Sequence, residues 1–186
     1  MQISLKQQHL HKNSNNRAGT LGQSGTALSL DPVIPSGVTL AEVLGLVEVL
    51  GERGFDIPIS AGGRSRFFHG SSEFLSLLTT AEILGLVSRT DHRIFLTDTG
   101  LGFLKADFPE QMGVLRAKLS RIEPFKSTLD LLTNSKSVNV SEISRKLSEK
   151  YEMGDFDPKL TRLVLIEWGL PTGLLKYDTK GGFRLG

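Results

Sequence analysis

The chain has 186 residues, of which 39% are hydrophobic, and a formal net charge of +2. This length is enough for one domain or two small ones with packed cores. The chain contains no cysteine, which excludes disulfides and thiolate metal sites and is typical of the cytoplasm. No apolar run approaches the roughly 18 residues that a membrane-spanning helix needs, and the first twenty residues are too polar for a signal peptide, so we expect no membrane insertion.

The charge is unevenly distributed along the chain. Residues 37–108 carry six basic and nine acidic side chains, whereas residues 109–186 carry thirteen basic and ten acidic side chains. Only residues 109–186 and residues 1–36 therefore carry a net positive charge, which a polyanion would attract.

Residues 1–36 are rich in glutamine, asparagine, glycine and serine and have few apolar anchors. Such a composition cannot offset the entropy cost of ordering, which predicts a flexible polar extension. His9 and His11 lack a third ligand there, so we expect no metal site.

The first predicted module covers residues 37–108. Thr39 and Glu42 have the spacing of a capping box, which predicts a helix over residues 40–51. The segment 57–68 stands in the place of a second helix, but Gly62 and Gly63 weaken helix formation. Ser71 or Ser72 caps a further helix to residue 85. Apolar strands at 86–88 and 94–96 then surround a short turn.

A linking stretch over residues 101–120 is predicted to be helical apart from Pro109 and Gly113, with a break at Pro109. In the second module, which with this stretch covers residues 109–186, helices are predicted at 124–132, 141–151 and 158–168. Ser141 and Asp157 are the candidate caps of the last two helices. Strands at 174–177 and 183–185 close the module around a turn.

The same order, a helix-turn-helix followed by a two-stranded hairpin, therefore occurs twice. This pattern predicts an α+β fold, mainly α, built from tandem winged-helix modules. Such modules bind nucleic acids or proteins far more often than they catalyse reactions.

Motifs for catalysis are missing from the sequence. No Gly-Lys pair is present, which excludes a phosphate-binding loop, and the Gly-x-Ser-x-Gly pattern of a nucleophile elbow is also absent. His69 and His92 have no spacing that indicates a metal site or a triad. We therefore expect no enzymatic activity and no cofactor.

Basic residues around the second hairpin are the candidate nucleic-acid site. Lys159 and Arg162 lie three apart near the start of the predicted recognition helix, where side chains can reach phosphates or base edges. The hairpin adds Lys176, Lys180 and Arg184. A smaller set in the first module comprises Arg64, Arg66, Arg89 and Arg93. The alternative is that both sets are solvated charges, since Asp155, Glu167 and Asp178 lie among the second set.

Trp168 and Tyr177 could stack on bases. Trp168 ends an apolar helix beside a glycine, which favours packing in a core or between the modules. Packing is also favoured for Phe67 and Phe68; the alternative for this adjacent aromatic pair in a glycine-flanked loop is an exposed contact patch.

Five stretches resemble one known family: LGLVEVL at 44–50, AEILGL at 81–86, LTDTG at 96–100, IEWG at 166–169 and LKYD at 175–178. In their order and spacing the chain is similar to the AAA-associated domain family. Members of this family are attached to the C-terminal side of nitrate/sulfonate/taurine-type ABC transporter ATPases or occur as free-standing proteins. The resemblance implies winged-helix-like modules with a regulatory rather than a catalytic task.

The sequence thus predicts a DNA-binding regulator of transcription. The alternative is a protein-interaction module that docks on an ABC-type ATPase or forms a homodimer.

Overall fold

The computed structural model describes residues 31–54, 56–58, 71–151, 156–178 and 181–186. Over these residues the protein is mainly helical and contains two small antiparallel sheets. Residues 1–30 of the predicted extension and residues 59–68 of the predicted second-helix segment, 57–68, lie outside this description. The first two residues of that segment, Ile57 and Pro58, belong to a strand and not to a helix.

The first half of the molecule, residues 40–96, contains two helices and a sheet. Its elements are α1 (Leu40–Glu52), β1 (Asp56–Pro58), α2 (Ser71–Ile83), β2 (Val87–Arg89) and β3 (Arg93–Leu96). The capping box that starts α1 is confirmed, because Glu42 N donates to Thr39 Oγ1 at 3.2 Å and Thr39 N donates to Glu42 Oε2 at 2.7 Å. β3 lies in the middle of the sheet, with β1 and β2 antiparallel on either side.

Two linking helices follow, α3 (Asp98–Lys105) and α4 (Phe108–Leu119). The predicted break near Pro109 is confirmed, since Pro109 occupies the first turn of α4, where its missing N–H costs nothing. The predicted interruption at Gly113 is wrong. A lone glycine weakens a helix by only about 1 kcal/mol, and α4 runs through it.

The second half, residues 125–185, repeats the order of the first and adds a helix. Its elements are α5 (Phe125–Leu132), β4 (Val138–Asn139), α6 (Val140–Lys150), α7 (Pro158–Val164), a π-helical turn (Leu165–Gly169), β5 (Leu175–Tyr177) and β6 (Gly182–Leu185). β6 is the central strand, with β4 and β5 antiparallel on either side. Both predicted hairpins, β2–β3 and β5–β6, are therefore confirmed.

Three local features of the second half differ from the sequence prediction. Asn139, not Ser141, caps α6, because Glu142 N donates to Asn139 Oδ1 at 2.9 Å. β4 and its first-half counterpart β1 were not predicted, since two or three residues are too few to show the alternation of a strand. The predicted helix over 158–168 changes from α to π geometry at Leu165.

Four buried side chains of α2 have the same spacing as four of α7 and the π-helical turn. In α2 they are Phe74, Leu77, Leu78 and Ala81; in α7 and the π-helical turn they are Thr161, Val164, Leu165 and Trp168. Thr80, which is also buried in α2, corresponds to the exposed Glu167. A glycine with positive φ follows in both halves, Gly85 at +70° and Gly173 at +65°. The interval to that glycine is one residue longer in the second half, and the π-helical turn contains the extra residue.

Both halves share one hydrophobic core. Trp168 is fully buried in it, as predicted, and its Nε1 donates to the carbonyl of Val38 at 2.9 Å. Ile34 is also buried, and its N–H donates to the carbonyl of Glu123 at 3.0 Å. The last six residues of the predicted extension, 31–36, therefore belong to the folded body.

Candidate nucleic-acid interface

Helix α7 begins at a capping residue followed by proline, and it exposes both basic and apolar side chains. Lys159 N donates to Asp157 Oδ1 at 2.7 Å, and Pro158 occupies the first turn, so the predicted cap at Asp157 is confirmed. Lys159 and Arg162 are exposed on this helix. Leu160 and Leu163 are exposed as well.

Arg162 connects this helix to the hairpin. Its guanidinium lies over the ring of Tyr177, 5.2 Å from the ring centroid, a cation–π contact. Tyr177 in turn packs edge-on against the buried Phe183, with ring centroids 5.2 Å apart. Packing therefore accounts for Tyr177, and it holds Arg162 of α7 beside strand β5. We call Lys159 and Arg162 the helix-side patch.

Lys176 and Arg184 lie on the other face of the same hairpin. They are directly opposite each other in the β5–β6 register, and both are exposed, whereas the neighbouring Phe183 is buried and Tyr177 is half-buried. Alternate residues of a strand point to opposite faces, which separates this pair from Arg162. The single basic cluster that the sequence predicted is therefore two surfaces.

A third cation joins Lys176 and Arg184. Lys136, in the loop before β4, lines the same open groove of about 640 Å³ as the two strand residues. Of the described residues that line this groove, none is acidic. We call Lys136, Lys176 and Arg184 the sheet-side patch.

Three of the seven predicted site residues, Arg64, Arg66 and Lys180, lie outside the described residues. The two described members of the predicted first-half set, Arg89 and Arg93, are paired with acids. Arg93 donates two hydrogen bonds to Asp56, at 2.8 and 2.6 Å, which hold the pKa of that carboxyl below its ordinary value. Arg89 lies 3.3 Å from Glu82. These contacts neutralise the described part of the first-half set.

Sequence reasoning missed an ion cluster where residues 31–34 meet the second half. Lys150 Nζ donates to Asp31 Oδ2 at 2.6 Å and to Glu123 Oε1 at 2.7 Å, and Lys126 Nζ donates to Asp31 Oδ2 at 2.7 Å. Glu123 is fully buried and also accepts from the hydroxyl and the N–H of Ser127. The sequence carries no signal for this cluster, because its members are up to 119 positions apart.

The cluster shifts the pKa of its members in opposite directions. Hydrogen bonds from Lys126 and Lys150 hold the pKa of Asp31 below its ordinary value. Partial burial alone would lower the pKa of Lys150, but its hydrogen bonds to Asp31 and Glu123 outweigh this and raise it. Burial raises the pKa of Tyr151, whose hydroxyl donates to the carbonyl of Asp31. Lys126, Lys150 and Tyr151 all donate hydrogen bonds to Asp31 and so hold residues 31–34 in place. We therefore assign the cluster a structural role.

Nothing in the described part of the chain groups three or more histidine, aspartate or glutamate side chains in an arrangement that could hold a metal ion. Among the same residues, no helix is both long and apolar enough to cross a bilayer.

A family model, described as the C-terminal AAA-associated domain, matches residues 64–178, more than half of the chain. The match includes the later four of the five stretches that carry the sequence resemblance, and the family is an accessory rather than a catalytic one. No match was found among curated proteins or among solved structures. The match extends from before α2 to the end of β5, so it includes parts of both halves of the molecule and the helices that link them. The chain therefore belongs to the family of C-terminal AAA-associated domains.

Proposed function

We propose that the protein is a non-catalytic regulator built from two winged-helix modules, and that its second module binds DNA. The order of elements supports the winged-helix assignment. In each half a helix precedes the first strand, a further helix precedes the second and third strands, and the third strand lies between the other two. This is the arrangement in which a helix-turn-helix is followed by a hairpin wing.

The contact between Arg162 and Tyr177 is the observation that carries the DNA proposal. It holds Arg162 of α7 next to strand β5, and this supports a surface on which a duplex along α7 would also meet the hairpin. Lys159 lies one helical turn before Arg162 and is exposed, in the N-terminal part of the helix from which such helices reach base edges and phosphates. Lys180 follows β5 in the sequence and is expected to add a phosphate contact.

The test is titration of fluorescent duplex DNA with the full chain, measured by anisotropy at several salt concentrations. If about three cations meet phosphates, counterion release makes the affinity fall about forty-fold between roughly 50 and 200 mM salt. The double variant Lys159→Ala/Arg162→Ala should bind more weakly and show a shallower salt dependence. Its fold stability should change by less than about 1 kcal/mol, because both cations are exposed.

The matched control is Arg145→Ala/Lys146→Ala, which removes two cations of α6 that each have an acidic partner, Glu149 for Arg145 and Asp130 for Lys146. This variant should bind DNA like the wild type. Equal affinities of all three proteins at every salt concentration would remove the proposal.

A second candidate function is docking on a protein, and the exposed leucines of α7 favour it. Leu160 is 45% and Leu163 is 54% exposed, and neither helps to bind a phosphate. Apolar side chains one turn apart on a helix are typical anchors for a protein groove. Given the family, the partner to test is an ABC-type ATPase, followed by a second copy of this chain.

The two candidate functions make different predictions for one double variant. Leu160→Ser/Leu163→Ser should abolish co-elution with the ATPase, or self-association, if docking is the function. The same variant should leave DNA affinity within about threefold of the wild type if α7 reads DNA through its cations. Size-exclusion chromatography with light scattering, run beside the anisotropy titration, separates these outcomes.

A further inference from the structure

The groove on the outer face of the second sheet has an unbalanced charge. Lys136, Lys176 and Arg184 line it, and none of them forms an ion pair with another described residue. Lys176 and Arg184 stand directly opposite each other on neighbouring strands. Like charges in that position destabilise a sheet, so the fold itself gains nothing from this pair.

The equivalent position in the first half shows that the fold does not require cations there. Counted from the positive-φ glycine of each half, Lys176 corresponds to Ser88, and the partner of Ser88 in the register is Phe95. Among the described residues, Arg93 is the arginine on that outer face, and it is neutralised by Asp56. The cationic pair therefore belongs to the surface of the second half, not to the frame that both halves share.

We propose that this groove binds a small molecule with two or more phosphate groups, of the size of a mononucleotide. The fork of Arg184 matches two phosphate oxygens, and the lysines supply point charges beside it. Asn134 and Ser135 in the wall add neutral hydrogen-bonding groups. Leu132 and Leu185, the latter 58% exposed, give the same groove an apolar wall on which a ring can pack. A groove of about 640 Å³ is within the range of small-molecule sites.

This site is distinct from the proposed DNA contact. The groove opens on the face of the hairpin that carries Lys176, whereas Arg162 covers Tyr177 on the opposite face. A duplex along α7 therefore leaves the groove accessible. In a regulator, such a site would receive an effector, and this role rests on the proposed function; binding itself does not.

The experiment is isothermal titration calorimetry of the full chain with ATP, pyrophosphate and adenosine, without magnesium. ATP should bind, pyrophosphate should bind more weakly, and adenosine should not bind detectably. Lys176→Ala/Arg184→Ala should weaken ATP binding by at least about a hundredfold, at about tenfold for each charged hydrogen bond lost. Lys159→Ala/Arg162→Ala is the matched control and should bind ATP like the wild type.

Circular dichroism and thermal unfolding check that each variant is folded. If the groove variant, Lys176→Ala/Arg184→Ala, is unfolded, Lys136→Ala replaces it, because Lys136 lies in a loop. ATP affinity of Lys136→Ala should be about tenfold lower than that of the wild type.

Three results would overturn the proposal: no heat of binding with ATP or pyrophosphate, equal affinity for adenosine and ATP, or equal ATP affinity of the wild type and the groove variant. DNA anisotropy on the same proteins separates this site from the proposed function. Loss of DNA binding only in the helix-side variant, together with loss of ATP binding only in the groove variant, supports two sites. Equal loss of DNA binding in both variants, without ATP binding, would make the groove part of the DNA interface and end the proposal.

Discussion

The outer face of the first sheet carries Ser88 opposite Phe95, and the same position of the second sheet carries Lys176 opposite Arg184. Behind these faces, four buried side chains of α2 recur at the same intervals as four of α7 and the π-helical turn. The frame of each half is thus set by the periodicity of its apolar side chains. Function must be sought among the surface side chains, where that periodicity imposes nothing.

The halves also differ in how they treat exposed charge. Arg93 and Arg89 in the first half each have an acidic partner. Lys159 in the second half forms no ion pair with another described residue, and Arg162 contacts an aromatic ring. Cations without an acidic partner remain available to an anionic ligand. Arg53 of the first half is one of these, since it is exposed and forms no ion pair with another described residue. In the second half such cations gather around one helix and one hairpin, where both proposed sites lie.

The largest expected effect tests whether the two halves are independent. Trp168→Ala should lower the free energy of unfolding by about 4 kcal/mol, because it removes the largest fully buried side chain and leaves a cavity. The indole also donates to Val38, which precedes the first half. We therefore expect a single urea transition, measured by far-ultraviolet circular dichroism, that shifts as a whole.

Leu78→Ala is the control from the first half, since Leu78 is fully buried at the position that matches Leu165. It should shift the same transition by about 3 kcal/mol. Two separate transitions in either variant would show that the halves unfold independently.

The next effect concerns the ion cluster, which has no counterpart among the described residues of the first half. Lys150→Met should lower the free energy of unfolding by about 3 kcal/mol, because it leaves the buried carboxylate of Glu123 without a cation. Lys126→Met is the matched control. Lys126 pairs only with the partly exposed Asp31, so its loss should cost less than about 1 kcal/mol. Equal losses in urea titrations would refute a special role for Lys150.

Acid should destabilise the protein through the same cluster. The pKa of Asp31 lies below its ordinary value of 3.8 in the folded protein, so the unfolded chain binds a proton more readily. The stabilisation is therefore present above about pH 4 and is lost as the pH falls through the lowered pKa. Asp31→Asn should flatten the decline of the unfolding free energy below pH 4.

Asp56→Asn gives the first-half comparison for this pH effect. The pKa of Asp56 is also lowered, by its hydrogen bonds from Arg93, but both side chains of that pair are about half exposed. We expect this variant to change the acid dependence less than Asp31→Asn does. The opposite order in urea titrations from pH 2 to pH 6 would contradict the ranking.

The smallest expected effect is a gain in stability. Lys176→Ser gives the second sheet the residue found in the first and removes a like-charge pair. The free energy of unfolding should rise by about 0.5 kcal/mol. The reverse exchange, Ser88→Lys with Phe95→Arg, should destabilise the first sheet. A loss of stability in Lys176→Ser would show that an unseen contact supports this lysine.

The sequence was sufficient for features that depend on near neighbours. The caps at Thr39 and Asp157, the start of α4 at Pro109 and both hairpins follow from residues within a few positions of each other. The burial of Trp168 could also be predicted, since an apolar helix end beside a glycine is a local pattern.

Features that depend on distant residues could not be predicted in the same way. Strand β4 exists because Val138 and Asn139 pair with residues more than forty positions later. From the sequence alone, Glu123 would be assigned to the surface. Its burial is explained only by its contacts with Lys150 and Ser127 in the folded protein. The separation of the basic residues into two patches lay within reach of sequence reasoning, because adjacent strand residues such as Lys176 and Tyr177 must face opposite ways.

The π-helical turn at Leu165–Gly169 has a consequence for comparing the two halves as sequences. One residue inserted into a regular α-helix would rotate every later side chain by about 100°, since each turn holds 3.6 residues. The wider turn absorbs that rotation, so the strand that follows still begins two residues after its glycine. A gapless alignment of the two halves therefore loses its match directly after Trp168, at the end of the helix, and recovers it only when a gap is placed there. The two halves therefore keep the same order and placement of helix, glycine and strand, although the second half has one residue more at this point.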